Sequence, residues 1–374
     1  MLKKASFFIL FFFICLLTFS AVGAEPPSPT ISAEAAVLID WNSGRILYAH
    51  NPHKVKHMAS TTKIMTAIIA LERGVLDDKV VTSPKAANTG GSSIWLEEGE
   101  VKILEELVLG LMLRSGNDAA VAIAEHISGS VDAFAELMTQ RARELGAMNT
   151  SFKNPHGLHH PDHYSTAHDL GIIAAHAMGL KEFRRITATP SATISWPGHP
   201  WDRFLYNQNK LFDLYVGAEG IKTGWTTPAG RCFVGSAERG GRRLISVVLN
   251  APYMWEDTVA LLNLGFENFT YETLLKEGQY LKSVPIIGGE SGKVEAFAGE
   301  DFYYPLDIGE KDKVTYRFIL DEPLEAPLRK GEIIGELEIY FERELVGVLD
   351  LVSGNDIKRI TLWNRIKSFF GRRV

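Results

Sequence analysis

The chain has 374 residues, 46% of them hydrophobic, with 39 basic against 45 acidic side chains and a net charge of −6. The acidic balance argues against nucleic acid as a partner, since phosphate binding needs a basic surface. The length is too great for one ordinary compact domain and comfortable for two, and two cysteines, Cys15 and Cys232, provide no disulfide framework.

Residues 1–24 read as a signal peptide. Lys3 and Lys4 form a charged start, Phe7 to Phe19 is almost wholly apolar, and Ala21-Val22-Gly23-Ala24 offers small residues for cleavage. The apolar run is short for a membrane span, which favours a cleaved leader over an anchor, and Cys15 lacks the small-residue context of a lipoprotein site. Its loss removes two lysines and no acids, taking the net charge from −6 to −8.

Glu25 to Ile31, with three prolines, reads as an extended lead-in. Ala35 to Tyr48 has the pattern of a hairpin turning at Asn42-Ser43-Gly44. A helix should open near Ser60, with Ile64, Ala67, Ile68 and Leu71 at helical spacing and Gly74 as its stop. Leu104, Leu107, Val108 and Leu111 mark a second helix that ends at Ser115-Gly116, and Asp118 to Ile127 is helical again. Phe233 to Ala237 and Leu244 to Leu249, joined through Gly240-Gly241, are expected to be adjacent antiparallel strands, with Cys232 a buried structural thiol. Glu256 to Phe269 restores helical spacing. After about Thr273 the helix signals vanish, and short alternating runs such as Val314 to Ile319 and Ile333 to Tyr340 indicate a small all-β module. The last residues place Ile360, Trp363, Ile366 and Phe370 on one helical side, with Lys358, Arg359, Arg365, Lys367, Arg372 and Arg373 supplying charge. That pattern suits an anionic membrane interface; the alternative is a helix packed on the β module.

Three short motifs carry the chemistry. Ser60-Thr61-Thr62-Lys63 sits where the first helix should open, and no other Ser-x-x-Lys occurs in the chain. Ser115-Gly116-Asn117 and Lys222-Thr223-Gly224 follow in order. A serine and a lysine three apart on a helix share a face, close enough for the amine to take the hydroxyl's proton. Lysine can serve as that base only if burial and a nearby cation lower its pKa. A second Ser-Gly-Asn, Ser353-Gly354-Asn355, has no apolar helix after it and reads as a turn.

The ordered set resembles the serine penicillin-recognising enzymes, which include the penicillin-binding proteins and the β-lactamases. Gly91-Ser92-Ser93-Ile94-Trp95-Leu96, Asn154-Pro155-His156-Gly157-Leu158 and Arg243 to Leu249 are similar to D-alanyl-D-alanine carboxypeptidases of the low-molecular-mass penicillin-binding type. The likeness runs from about Ala35 to the C-terminus. It implies an α/β (α+β) penicillin-binding/β-lactamase-like transpeptidase domain over 30–272, an antiparallel sheet flanked by helices. A small β-sandwich-like domain over 273–355 and an amphipathic membrane-associating helix over 356–374 would follow. It further implies a serine hydrolase that removes the terminal D-alanine from peptidoglycan stem peptides, without a cofactor or metal, and that β-lactam antibiotics acylate. The protein would be exported and rest on the outer face of the cytoplasmic membrane.

In those roles Ser60 would be the nucleophile and Lys63 its base. Ser115 would bridge Lys63 and Lys222 and pass a proton to the departing amine. Asn117 would donate to the substrate's amide carbonyl, and Lys222 and Thr223 would hold the terminal carboxylate. Gly224 would let a flat substrate strand approach the edge strand. The backbone amides of Ser60 and Trp225 would form the oxyanion hole; relatives often place a smaller or more polar residue at the Trp225 position, which bears on the shape of the pocket. A competing signal is the cluster His156, His159, His160, His163 and His168 with Asp162 and Asp169, open to reading as zinc ligands, although it matches no H-E-x-x-H spacing. A β-lactamase would need a deacylating base, and no Glu-x-x-Leu-Asn occurs. A non-catalytic wall-binding or β-lactam-sensing protein could lose any of the motifs without penalty, yet all three are intact.

Overall fold

The computed structural model describes residues 29–320 and 323–361. The expected signal peptide, 1–24, lies outside the described residues, as do residues 362–374 of the expected C-terminal helix.

The first unit is organised on a five-stranded antiparallel sheet, in the spatial order Ile46–His50, Ala35–Asp40, Arg242–Leu249, Gly230–Arg239, Ala218–Thr226. Both of its faces are covered, which is why its strands read as unbroken apolar runs. In Ala35–Asp40, the side chains of Ala35, Val37 and Ile39 enter one core, and those of Ala36 and Leu38 enter another. The helix Met254–Asn268 covers the second face through Leu261 and Leu262. On the first face lies the helix Lys63–Arg73, in which Ile64, Met65, Ile68 and Ile69 are all buried. An apolar circumference of that kind belongs to a central helix rather than a surface one. The helices Leu104–Leu113, Asn117–Ser128, Val131–Glu144 and Ala167–Gly179 form the lobe around it.

The second unit is all-β. A five-stranded sheet runs Tyr280–Pro285, Lys293–Ala298, Glu344–Ser353, Ile333–Phe341, Val314–Leu320, and a pair of strands, Thr270–Leu275 and Phe302–Leu306, packs with it around a separate core. The strand Thr270–Leu275 straddles the expected boundary at 272/273. Ser353 ends a strand and Gly354 and Asn355 bend away from it, so the second Ser-Gly-Asn is a strand end. Residues 356–361, counted with the C-terminal helix by sequence, are extended: Ile357 bridges Leu328, and Arg359 bridges Gly289. Their backbone groups pair with loops of the β module, with Ile360 donating to the Gly288 carbonyl at 2.7 Å, and that pairing outweighs helical propensity.

Polar side chains, Arg45 and Tyr271 among them, join the two units. Arg45, on the first hairpin, donates to both carboxylate oxygens of Glu310 at 2.8 Å and to the Pro305 carbonyl. Its guanidinium lies 4.2 Å from the centroid of the Phe341 ring, with Phe269 and Tyr304 also around it. Arg242 donates to Asp40 at 3.0 Å, and the Tyr271 hydroxyl donates to the same carboxylate at 2.5 Å. Replacing Arg45 by alanine should leave Glu310 uncompensated and open the aromatic cage, lowering stability by about 2–4 kcal/mol in chemical denaturation. Lysine, which keeps the charge without the planar fork, should recover only part of it. An unchanged denaturation midpoint in both variants would mean the joint adds nothing to stability.

Candidate active site

Ser60 sits in a single 3-10 turn, Ala59–Thr62, that feeds directly into the helix Lys63–Arg73. Ala59 has a φ of +48° and Ser115 a φ of +62°, left-handed values that side chains other than glycine seldom adopt. Such strain persists where surrounding structure over-determines it, and it concentrates at functional sites.

The Lys63 amine is fully buried. Its Nζ lies 2.8 Å from Asn117 Oδ1, 2.6 Å from the His156 carbonyl oxygen and 3.0 Å from Ser60 Oγ. Burial, reinforced by the nearby Lys222 charge, holds its pKa well below the ordinary lysine value, while Asp118 opposes the shift. A neutral amine has two N–H donors and one lone pair. The first two contacts are with acceptors only, so they take the two N–H bonds, and the lone pair is left for the Ser60 hydroxyl. The loop Asn154 to Leu158 exists to present that carbonyl. Asn154 Oδ1 accepts from the Gly157 amide at 2.7 Å, and Gly157, at φ +89°, packs so tightly that a Cβ there would collide with the Ala59 carbonyl.

Lys222, Thr223, Gly224 and Trp225 lie on Ala218–Thr226, the sheet's edge strand. Lys222 is buried and donates to the Thr223 carbonyl at 3.0 Å; burial pushes its pKa down to about 7. Gly224 is required from within the fold before any substrate arrives: a Cβ would stand 2.8 Å from the Ser60 backbone nitrogen and 3.1 Å from the Met58 carbonyl oxygen. Trp225 is 66% exposed. A cleft of about 480 Å³ brings together Ser60, Ser115, Thr223, Gly224 and Trp225, with Gln208, Lys210 and Arg231 on its walls.

Asn117 spans the cleft's helical side. While its Oδ1 accepts from Lys63, its Nδ2 donates to the Gly90 carbonyl at 2.7 Å, which leaves one amide hydrogen for a ligand. Its neighbour Asp118, passed over in the sequence as an ordinary helical residue, is fully buried. The Asp118 carboxylate accepts from Ser93 Oγ at 2.6 Å and from the amides of Ile94 and Leu96 at 3.0 and 3.1 Å. It thereby fixes the stretch Gly91 to Leu96 over the cleft.

The histidines do not converge. Among the described residues no three His, Cys, Asp or Glu side chains are grouped as metal ligands. His163 is instead a structural bridge: Nδ1 accepts from the Lys153 amide at 3.0 Å, and Nε2 lies 2.7 Å from Thr62 Oγ1, which itself donates to the Ala59 carbonyl. That set requires the neutral tautomer protonated on Nε2. Desolvation, with help from neighbouring His57, pushes its pKa down to about 3. His156 is likewise pushed down to about 3, by burial first and by Lys63 second. The Cys232 thiol is buried and pushed up to about 11, an inert packing group.

This arrangement is that of a serine peptidase of the penicillin-recognising type. The family described as D-alanyl-D-alanine carboxypeptidase matches residues 21–253, and the penicillin-binding protein 5 C-terminal domain matches 269–359. The chain is 34% identical over 350 residues to D-alanyl-D-alanine carboxypeptidase DacF of Bacillus subtilis, covering 91% of this chain and 89% of the relative. It is 33% identical to DacA of Haemophilus influenzae, covering 95% and 93%. Among solved structures, penicillin binding protein 5 from Haemophilus influenzae superposes with a TM-score of 0.72 at 34% identity, over 90% of this chain and all of the other. The chain therefore belongs to the D-alanyl-D-alanine carboxypeptidase family of serine peptidases, and it is a hydrolase.

The two depressed histidines make the site acid-labile. A histidine whose folded pKa lies below its unfolded value is protonated first in the unfolded chain, so stability is lost as pH falls from about 6.5 towards 3. Replacing His163 by alanine should leave Thr62 and the Lys153 amide short of a partner, costing about 2–4 kcal/mol at neutral pH. It should also flatten the acid slope of stability measured by denaturation between pH 6.5 and 4. An unchanged slope would mean that protonation of His163 is not what destabilises the fold.

Proposed function

We propose that the chain removes the terminal D-alanine of the peptidoglycan stem pentapeptide through an acyl-enzyme on Ser60, and that β-lactams acylate the same oxygen. The observation that carries the reading is the Lys63 amine, whose two N–H bonds are claimed by Asn117 Oδ1 and the His156 carbonyl while Ser60 Oγ lies 3.0 Å away. Lys63 takes the hydroxyl proton as Ser60 Oγ attacks the carbonyl carbon of the penultimate D-alanine. Negative charge develops on the carbonyl oxygen beside the amides of Ser60 and Trp225. The C–N bond then breaks, and Ser115, which lines the same cleft as Ser60, passes the proton from Lys63 to the departing amine. Water then attacks the ester with Lys63 again as base, releasing the shortened peptide.

Recognition of the substrate's end falls to Lys222 and Thr223, while the remaining hydrogen of the Asn117 amide goes to the substrate's amide carbonyl. A Lys222 pKa of about 7 places the amine at its titration point near neutrality. The terminal carboxylate supplies the countercharge that favours the protonated form. The preference for a free carboxylate should therefore weaken as pH rises above that value.

Mature protein mixed with penicillin should gain the mass of one intact drug on the peptide containing Ser60, and Ser60→Ala should abolish both the adduct and release of D-alanine from a pentapeptide. Lys222→Ala should lose at least tenfold in kcat/KM on the free-carboxylate substrate and much less on its C-terminal amide. An adduct elsewhere, or equal loss on both substrates, would refute these assignments.

The reading extends to location. Among the described residues no helix is long and apolar enough to cross a membrane. The leader pattern of residues 1–24 supports export. The composition of residues 362–374, with Trp363, Ile366, Phe369 and Phe370 beside Arg365, Lys367, Arg372 and Arg373, supports peripheral attachment to an anionic surface. Basic residues near such a surface contribute on the order of 1 kcal/mol each. Deleting 362–374 should release the protein from anionic vesicles while leaving peptide turnover intact. Retention of the shortened protein on vesicles would dismiss the tail as the anchor.

A further inference from the structure

The hairpin Ser191–Ile194 and Arg203–Tyr206 has no part in the chemistry above, yet it presents aromatic rings to solvent. Along Arg203–Tyr206 the side chains alternate: Arg203 and Leu205 are buried, whereas Phe204 and Tyr206 are 65% and 57% exposed. The register sets Thr193 opposite Phe204 and Ser191 opposite Tyr206, so two rings share one face with two small hydroxyl side chains.

This face is held rigidly. Arg203 donates to Glu100 at 2.5 and 2.7 Å and to the Trp95 carbonyl at 2.5 Å, and its guanidinium stacks 4.2 Å from the Trp196 ring. Fully buried Lys102 donates to Ser195 Oγ at 2.8 Å, just past the first strand's end. Grouped exposed aromatic rings, fixed by a buried ion network, are the features of a ligand surface rather than of a loose loop.

The face also runs into the cleft. The exposed alternation continues from Tyr206 to Gln208 and Lys210, and both of the latter line the cleft that holds Ser60. At roughly 3.3–3.6 Å per residue, Tyr206 lies within about 7 Å of Gln208 along the backbone, and Phe204 within about 14 Å. A five-residue stem peptide spans roughly 17 Å by the same measure. A substrate with its end at Ser60 therefore carries its sugar to a comparable distance from the cleft.

We propose that this face is a saccharide subsite, on which the pyranose rings of the glycan strand lay their C–H faces against Phe204 and Tyr206 and direct hydroxyls to Thr193 and Ser191. The proposal rests on the peptidoglycan reading above. A pyranose has an apolar face and a rim of neutral hydroxyls. The four outward positions of the hairpin supply two aromatic rings and two hydroxyls, with no formal charge among them.

The test compares a free stem pentapeptide with the same pentapeptide on its disaccharide, for wild type and for the Phe204→Ala/Tyr206→Ala double variant. Both side chains are exposed, so the melting temperature should match wild type. Wild type should show the lower KM for the sugar-bearing substrate. The variant should lose that advantage, with KM for this substrate rising about tenfold while kcat and the free-pentapeptide kinetics stay unchanged. Equal KM for the two substrates in wild type, or a loss shared by both in the variant, would overturn the subsite. Release of D-alanine from neither substrate by wild type would overturn the peptidoglycan reading itself, and the subsite with it. Conversion of a wild-type dimer to a monomer in the variant would assign the face to a second copy of the chain instead.

Discussion

The site depends on keeping the Lys63 amine neutral inside a folded protein. Two lysines, Lys63 and Lys222, are both buried, and the Lys222 charge disfavours charge on Lys63. Burial is the larger influence on Lys63, and the favourable field of Asp118 does not reverse it. A charged amine would spend its three N–H bonds on Asn117 Oδ1, the His156 carbonyl and the Ser60 hydroxyl oxygen, whereas the neutral amine spends two on the first pair and keeps a lone pair turned to the hydroxyl. Burial, which disfavours the charged form, is therefore what makes the amine a proton acceptor.

Holding that geometry requires control of the four-residue turn Ala59–Thr62. Three distant segments press on it: Gly224 from the edge strand, Gly157 from the loop bearing the His156 carbonyl, and His163 through Thr62. Glycine is needed at the first two because of close approach, and at Gly157 also because of its left-handed φ of +89°. The turn can therefore keep Ala59 at an unfavourable φ, since moving it would disturb all three contacts.

This explains what the sequence disclosed and what it concealed. The three motifs, the buried helix after Ser60 and the hairpin through Gly240-Gly241 were legible because spacing and periodicity are local properties. The role of His163 was not, since its partner Thr62 is 101 residues away and a lone histidine carries no signal of its tautomer. Asp118 hid within a helical pattern, and only its contacts with Ser93, Ile94 and Leu96 reveal it as the organiser of the cleft's rim. Gly224 was expected to make room for substrate, and nothing in the sequence showed that its missing side chain also makes room for the Ser60 backbone. Residues 356–361 carried the pattern of a helix and are extended, because tertiary backbone pairing decides such short segments.

An open sheet edge is ordinarily a hazard, inviting pairing with any other strand. Here the edge strand Ala218–Thr226 is the wall of the cleft, and under the proposed reading an extended peptide end would pair with the same open groups. The hazard is contained by the lobe opposite. Ser60, Ser92 and Ser115 close the far side of a space of about 480 Å³, which suits one peptide chain end and not the broad edge of another sheet. Lys222 lies on the same edge strand, buried, with its pKa pushed down to about 7, and under the proposed reading it gives the edge a preference for an anionic end. The same packing of Gly224 against the Ser60 backbone that brings nucleophile and edge strand together thus also narrows what can reach them.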